Sequence, residues 1–226
     1  MPRVSSFFRP VLSAVRANIV PGLFLQAFAL AIVLAYEFSG SVREALDFIG
    51  RVKVEGGFVY SILATSFFGG LVPYVVLTLA RRIPPERRLK DFAFYLLFWG
   101  YKGFEVDLLY LSQAAWFGDE RDFITIFSKT LVDQLAYGPL LAVPTQTVFF
   151  LWKDSGYSFA GVREALRKES LWARLIVVMA SNWFVWIPAV AIIYSLPVPL
   201  QLPLSNLVLT FWTLILTFVS RSETEK

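Results

Sequence analysis

Eight consecutive residues, Gly100-Tyr101-Lys102-Gly103-Phe104-Glu105-Val106-Asp107, place three charges inside an otherwise apolar run. Lys102 and Glu105 are three apart and can pair on one helix face. Asp107 falls about 140° from Lys102 at 100° per residue, so one straight face cannot hold all three. A charge at mid-membrane costs at least ~2.5–3.5 kcal/mol unless it is paired or wet. The stretch therefore either breaks near its two glycines or lines a polar interior. Its functional reading is a gate or an ion path. Its structural reading is a Lys–Glu pair that fixes helix packing. Further along, Asp133 and Gln134 stand at the mouth of another apolar run, where Thr130-x-x-Asp133 has the spacing of a helix N-terminal cap. A carboxylate in a first helical turn also suits the helix dipole. Gly138-Pro139 and Pro144 bend that run, and Gln146 is its strongly polar side chain beyond the bend. Asn182 can bridge helices from a third run. Lys102, Glu105, Asp107, Asp133, Gln134, Gln146 and Asn182 are thus the candidate pore or polar-interior residues.

The residue types that are absent narrow the chemistry further. The chain has no His and no Cys. That excludes Ser-His-Asp and Cys-His catalysis, Cys/His zinc sites, His or Cys haem ligation, and disulfides. Two Met cannot form a copper cluster. No metal and no cofactor are expected. An enzyme is the least favoured class, because Glu105 and Asp107, as an acid–base pair, would point to nearly opposite helix faces.

These residues sit in a chain whose solvent is largely lipid. Of 226 residues, 57% are hydrophobic, including 22 Phe, against ~45–50% in soluble domains. Six apolar runs approach the ~20 residues needed to cross a bilayer: 18–36, 58–79, 92–117, 131–152, 175–194 and 204–220. The expected fold is all-α, one polytopic transmembrane bundle over 1–226, with Pro197, Pro199 and Pro203 breaking the C-terminal pair. Lipid is the expected partner. The net charge of +4 suits basic inner loops rather than nucleic acid. If all six runs cross with the N-terminus inside, fifteen Lys and Arg lie inside and five, Lys53 among them, outside. If 92–117 does not cross, the split is ten and ten. The bias favours six crossings with both ends on the cytoplasmic or matrix side.

Other features have more ordinary readings. Residues 1–17, with three Arg and no acid, fit a basic cytoplasmic end better than a mitochondrial presequence. Val-Arg-Glu-Ala-Leu occurs at 42–46 and 162–166, which reads as two similar loop helices or as the trace of an inverted repeat. Ser61, Thr65 and Gly69 form a small-residue stripe for close helix packing or homo-oligomer contact. Gly70 and Pro73 mark a kink. Trp183 and Trp186 suit interface anchors. Residues 160–174, with Val162, Leu166 and Trp172 as apolar contacts, suit a surface amphipathic helix.

Lys129-x-x-x-Asp133-Gln134 with Pro139, then Asn182-x-x-x-Trp186, Pro188-Ala189-Val190, Val198-Pro199-Leu200 and Trp212, together resemble the Mpv-seventeen/PMP-twenty-two family. These are small integral membrane proteins of peroxisomes, mitochondrial inner membranes, fungi and some bacteria. The resemblance implies four long family-type spans, with residues 84–128 as an insertion that adds the third run. It also implies channel-like conductance and a role in membrane homeostasis, in an organellar or bacterial cytoplasmic membrane. The chain departs from the family pattern at Ile187, which separates Trp186 from Pro188. Ala191 stands where the family has Gln, and Pro73 where it has His.

Overall fold

The computed structural model describes residues 4–168 and 171–224, and these form helices joined by short turns, with no strand among them. The elements are α1 (Val4–Phe38), α2 (Gly40–Thr65), α3 (Val72–Leu79), α4 (Arg88–Phe117), α5 (Phe123–Val132), α6 (Val143–Asp154), α7 (Phe159–Lys168), α8 (Leu171–Tyr194) and α9 (Val198–Thr224). Two π-helical segments, Ser66–Leu71 and Asp133–Ala142, join α2 to α3 and α5 to α6 without a break in the rod. Three stretches among the described residues are long and apolar enough to cross a bilayer: Asn18–Phe38, Gly40–Leu79 and Phe123–Asp154. Val178–Tyr194 and Val198–Leu214 are shorter apolar helices. α4 is not in the first group because its middle carries Lys102, Glu105 and Asp107. It runs unbroken through Gly100 and Gly103 for thirty residues, ~45 Å at 1.5 Å per residue.

Bilayer-length geometry explains where the second rod bends. Gly40–Leu79 has forty residues, twice what ~30 Å of hydrocarbon needs. It is interrupted at Gly57, with φ 51° and ψ −135°, a conformation that a Cβ would forbid. The break separates an amphipathic first half from the apolar run at 58–79. Of the two Val-Arg-Glu-Ala-Leu copies, the first lies in α2 and the second in α7. α7 covers the first part of the surface helix expected at 160–174; the side chain of Trp172 and residues 1–3 of the basic end lie outside the described residues.

The start of the Phe123–Asp154 rod corrects one expectation. Asp122, not Thr130 or Asp133, caps it: its Oδ1 accepts from the Ile124 and Thr125 amides at 2.9 and 3.2 Å. Thr130 Oγ1 instead bonds the Ile126 carbonyl at 2.8 Å. Asp133 is therefore deep inside a helical rod, where no orphan amides of a helix start require it.

Two aromatic and aliphatic clusters hold the bundle. One joins α1, α8 and α9, with Leu25, Ala29, Val185, Ala189, Ile193 and Val208 fully buried. The other gathers Phe94, Tyr95, Phe98 and Trp99 of α4 against Phe150 of α6. Glycine lets the rods approach: a Cβ on Gly103 would lie 2.7 Å from Thr65 Oγ1, and one on Gly100 2.7 Å from Ser66 Oγ. At three prolines a neighbouring helix supplies a donor. Pro188 has no N–H for the Phe184 carbonyl four residues earlier; Gln26 Nε2 donates to it at 3.2 Å and to Val185 O at 3.2 Å. Five residues before Pro139, in π-helical backbone, Gln134 O accepts from Trp183 Nε1 at 2.9 Å. Five before Pro73, Phe68 O accepts from Thr210 Oγ1 at 2.9 Å. The kinks are thus cross-linked, which is how membrane helices tolerate proline.

Candidate functional site

α4 presents Tyr95, Trp99, Lys102, Val106 and Tyr110 along one wall at helical spacing. These residues border a cavity of about 350 Å³ between α2–α3, α4, the Asp133–Ala142 π segment, α6, α8 and α9. The volume falls in the ~300–1,000 Å³ range of small-molecule sites. The ten-residue π segment carries Asp133, Gln134, Tyr137 and Gly138 to the cavity wall.

Five of the seven sequence candidates meet there: Lys102, Asp133, Gln134, Gln146 and Asn182 all line the cavity. Glu105 stands behind Lys102. It accepts from Lys102 Nζ and, at 2.6 Å, from Tyr137 OH. Lys102 Nζ also lies 3.3 Å from Tyr137 OH and 5.4 Å from the centre of its ring. The Lys102 charge is therefore fully engaged in the wall. Asp107 departs from the expected polar interior. It faces α2, where Lys53 Nζ lies 2.7 Å from its Oδ1 and Ser61 Oγ 2.6 Å from its Oδ2. Lys53 precedes the Gly57 break and Ser61 follows it, so one carboxylate spans the kink. Lys53, counted among the outer-loop cations, is instead 5% exposed inside the bundle.

Asp133 has no such cation among the described residues. It is 6% exposed. Tyr194 OH donates to its Oδ2 at 2.8 Å, and Gln134 Nε2 to its Oδ1 at 2.7 Å. Gln113 Nε2 donates to Tyr194 OH at 2.7 Å, so the single phenolic proton is directed at Asp133. Lys129, one turn earlier, is buried but lies in the field of Asp119 and Glu120.

Of the other motif residues, Trp186 and Trp212 line the cavity. Pro139 and Pro188 sit at cross-linked bends, and Val198 and Pro199 open α9. Trp186 lines the cavity, and Trp183 Nε1 donates to the Gln134 carbonyl. Thr65 and Gly69 also line the cavity, while Ser61 serves Asp107. Four buried polar atoms on cavity-lining residues have no protein partner: Thr65 Oγ1, Trp99 Nε1, Gln134 Oε1 and Asn206 Nδ2. Buried groups of this kind are rare unless a water or ligand meets them.

Polar contacts tie the start of α4 to the end of α6 and the turn after it. Tyr157 OH donates to Asp91 Oδ1 at 2.6 Å, and Arg87 Nη2 to the Lys153 carbonyl at 2.7 Å. Burial, then the hydrogen bond to Asp91, hold the Tyr157 phenol above its ordinary range. Among the described residues, no three His, Cys, Asp or Glu side chains gather as metal ligands.

Sequence reasoning missed Lys53, Tyr137, Tyr194, Gln113 and Asn206. Tyr137 had a local signal, being one turn beyond Asp133. Lys53 had none: on an unbroken helix it would lie about 80° from Ser61, and only the Gly57 break brings both to Asp107. No family model, curated protein or solved structure matches the chain.

Proposed function

We propose that this chain is an integral membrane protein of the Mpv-seventeen/PMP-twenty-two type, with both termini on the cytoplasmic or matrix side. In this reading its central cavity passes small polar solutes or ions in a channel-like manner. The observation that carries it is convergence. Lys102, Asp133, Gln134, Gln146 and Asn182, chosen from scattered runs, share one cavity with Trp186 and Trp212 of the family-like motif. The Lys102–Glu105–Tyr137 cluster forms its polar wall, where the lysine charge is neutralised by Glu105 alone.

The test is solute flux from proteoliposomes holding the full chain. Glu105→Gln leaves Lys102 uncompensated at the wall and is expected to change flux several-fold. Unchanged flux overturns the assignment. The Lys53–Asp107 pair favours a second reading, a structural or assembly protein whose charges only fix packing. That reading expects Glu105→Gln to lower detergent stability while no variant, nor the wild type, ever conducts. Saturable counter-transport would instead indicate a carrier.

A further inference from the structure

The cavity has a charge imbalance. Lys102 is neutralised by Glu105. Asp133 accepts a hydrogen bond at each carboxylate oxygen, the pattern of the ionised form, yet no cation among the described residues pairs with it. An ionised carboxylate at 6% exposure is costly without a counter-charge. Beside it, Gln134 Oε1 is an acceptor with no donor. Tyr110 and Tyr137 lie in the field of Asp133, Trp186 also lines the cavity, and aromatic ring faces attract cations. Next to Gly69 the polarity reverses. A Cβ there would meet Trp99 and Leu209. Thr65 is one turn from Gly69, and Asn206 accepts through its carbonyl from Thr210, which also binds Phe68 O. Trp99 Nε1 and Asn206 Nδ2 are donors without acceptors.

We infer that the cavity is a binding site for a small organic ammonium ion bearing a neutral oxygen acceptor, an amino alcohol or its quaternary counterpart. The ammonium group lies at Asp133 and Gln134 against the aromatic faces. The oxygen accepts from Trp99 and Asn206. An anionic ligand is excluded by charge, since the one cavity lysine is already neutralised. A bare metal ion is disfavoured by volume, since ~350 Å³ is about twelve times the ~30 Å³ share of one water, and by the scarcity of converging carboxylates among the described residues. This inference rests on the cavity being the working site, and names what it holds.

The experiment is equilibrium binding to the purified full chain in detergent, with labelled choline as probe and tryptophan fluorescence as second readout. Trp99, Trp186 and Trp212 all border the cavity. Choline is expected to bind saturably, and 3,3-dimethylbutan-1-ol, its neutral isostere, at least about thirtyfold more weakly. Asp133→Asn is expected to lose choline by a similar factor. The isostere comparison needs no variant, so it decides the matter even if Asp133→Asn fails to fold. Equal binding of the isostere, no saturation with choline, or equal displacement by sodium or potassium chloride would each overturn the inference. Binding without flux overturns only the conduction reading; flux without choline binding overturns only this one.

Discussion

Asp107 and Asp133 are two aspartates buried to almost the same degree, 1% and 6% exposed, in opposite electrostatic settings. Asp107 lies between α4 and α2 with Lys53 at 2.7 Å and Ser61 at 2.6 Å. Asp133 lies on a cavity with two neutral donors, Tyr194 and Gln134, and no cation among the described residues. A buried charge with its counter-ion in place ties two helices together and has nothing left to offer a ligand. A buried charge held by neutral donors keeps its field available to whatever enters. Burial alone therefore does not mark a site in this bundle; burial without compensation, beside empty volume, does.

The largest effect is expected where compensation is removed. Lys53→Met leaves Asp107 charged with no counter-ion beyond the Ser61 hydroxyl bond, at a cost of about 3–5 kcal/mol, read as thermal unfolding of the full chain in detergent. The double change Lys53→Met with Asp107→Leu should recover most of that loss, since hydrophobic replacement of a buried pair is often neutral or better. If Lys53→Met proves harmless, the contrast between the two aspartates collapses. Next comes the contact that brings α4 to α2. A side chain at Gly103 would meet Thr65, so Gly103→Val should cost about 1–3 kcal/mol by overpacking in the same unfolding assay. That change should weaken the Asp107 strut, because it pushes the two helices apart, while leaving the π segment around Asp133 intact.

The apolar runs that build the bundle were legible in the sequence because lipid demands long uncharged stretches, and 18–36 and 58–79 fall in α1 and the α2–α3 rod. The start of the latter run coincides with the Gly57 break, where the charged half of α2 ends. Lys102 and Glu105 were legible as a pair because i and i+3 are local. What was not legible depends on contacts between rods. Asp107 looked like a companion of Lys102, but its partner is Lys53, in another helix and beyond a glycine break that no periodicity carries across. Asp133 looked like a cap because Thr130 stands three residues before it. The helix starts earlier, at a residue whose own cap, Asp122, is equally short-range, so two local signals competed and tertiary packing chose between them. The π segment that turns Asp133 and Gln134 together onto the cavity has no sequence period of its own; Gly138 and Pro139 hinted only at a bend.

Asp133→Asn tests the second half of the contrast. It removes a charge that has no counter-ion, at the expense of one accepted hydrogen bond, so the stability change should stay within about 1 kcal/mol. A loss as large as that of Lys53→Met would mean that Asp133 is a strut after all. Small destabilisation together with altered flux or choline binding would separate site from scaffold at these two positions.

The smallest effect belongs to a third aspartate, at the exposed limit of the same comparison. Asp122 is exposed and has no ion partner among the described residues. It is held by the Thr125 hydroxyl at 2.7 Å and by the Ile124 and Thr125 amides, and those hydrogen bonds, the Thr125 side chain first, hold its carboxyl below the usual range. A carboxyl group whose folded value is lowered contributes fully above its ordinary pKa of about 3.9 and loses that contribution as pH falls through the lowered value. Amide-exchange protection at Ile124 and Thr125, corrected for intrinsic rates, should therefore hold near neutral pH and fall only in acid. Asp122→Asn keeps an acceptor for the same amides without the titrating group, so its protection should be flat across that range. If the wild type is equally flat, the cap does not depend on charge. The graded series from Asp107 through Asp133 to Asp122 would then reflect burial alone rather than burial combined with compensation.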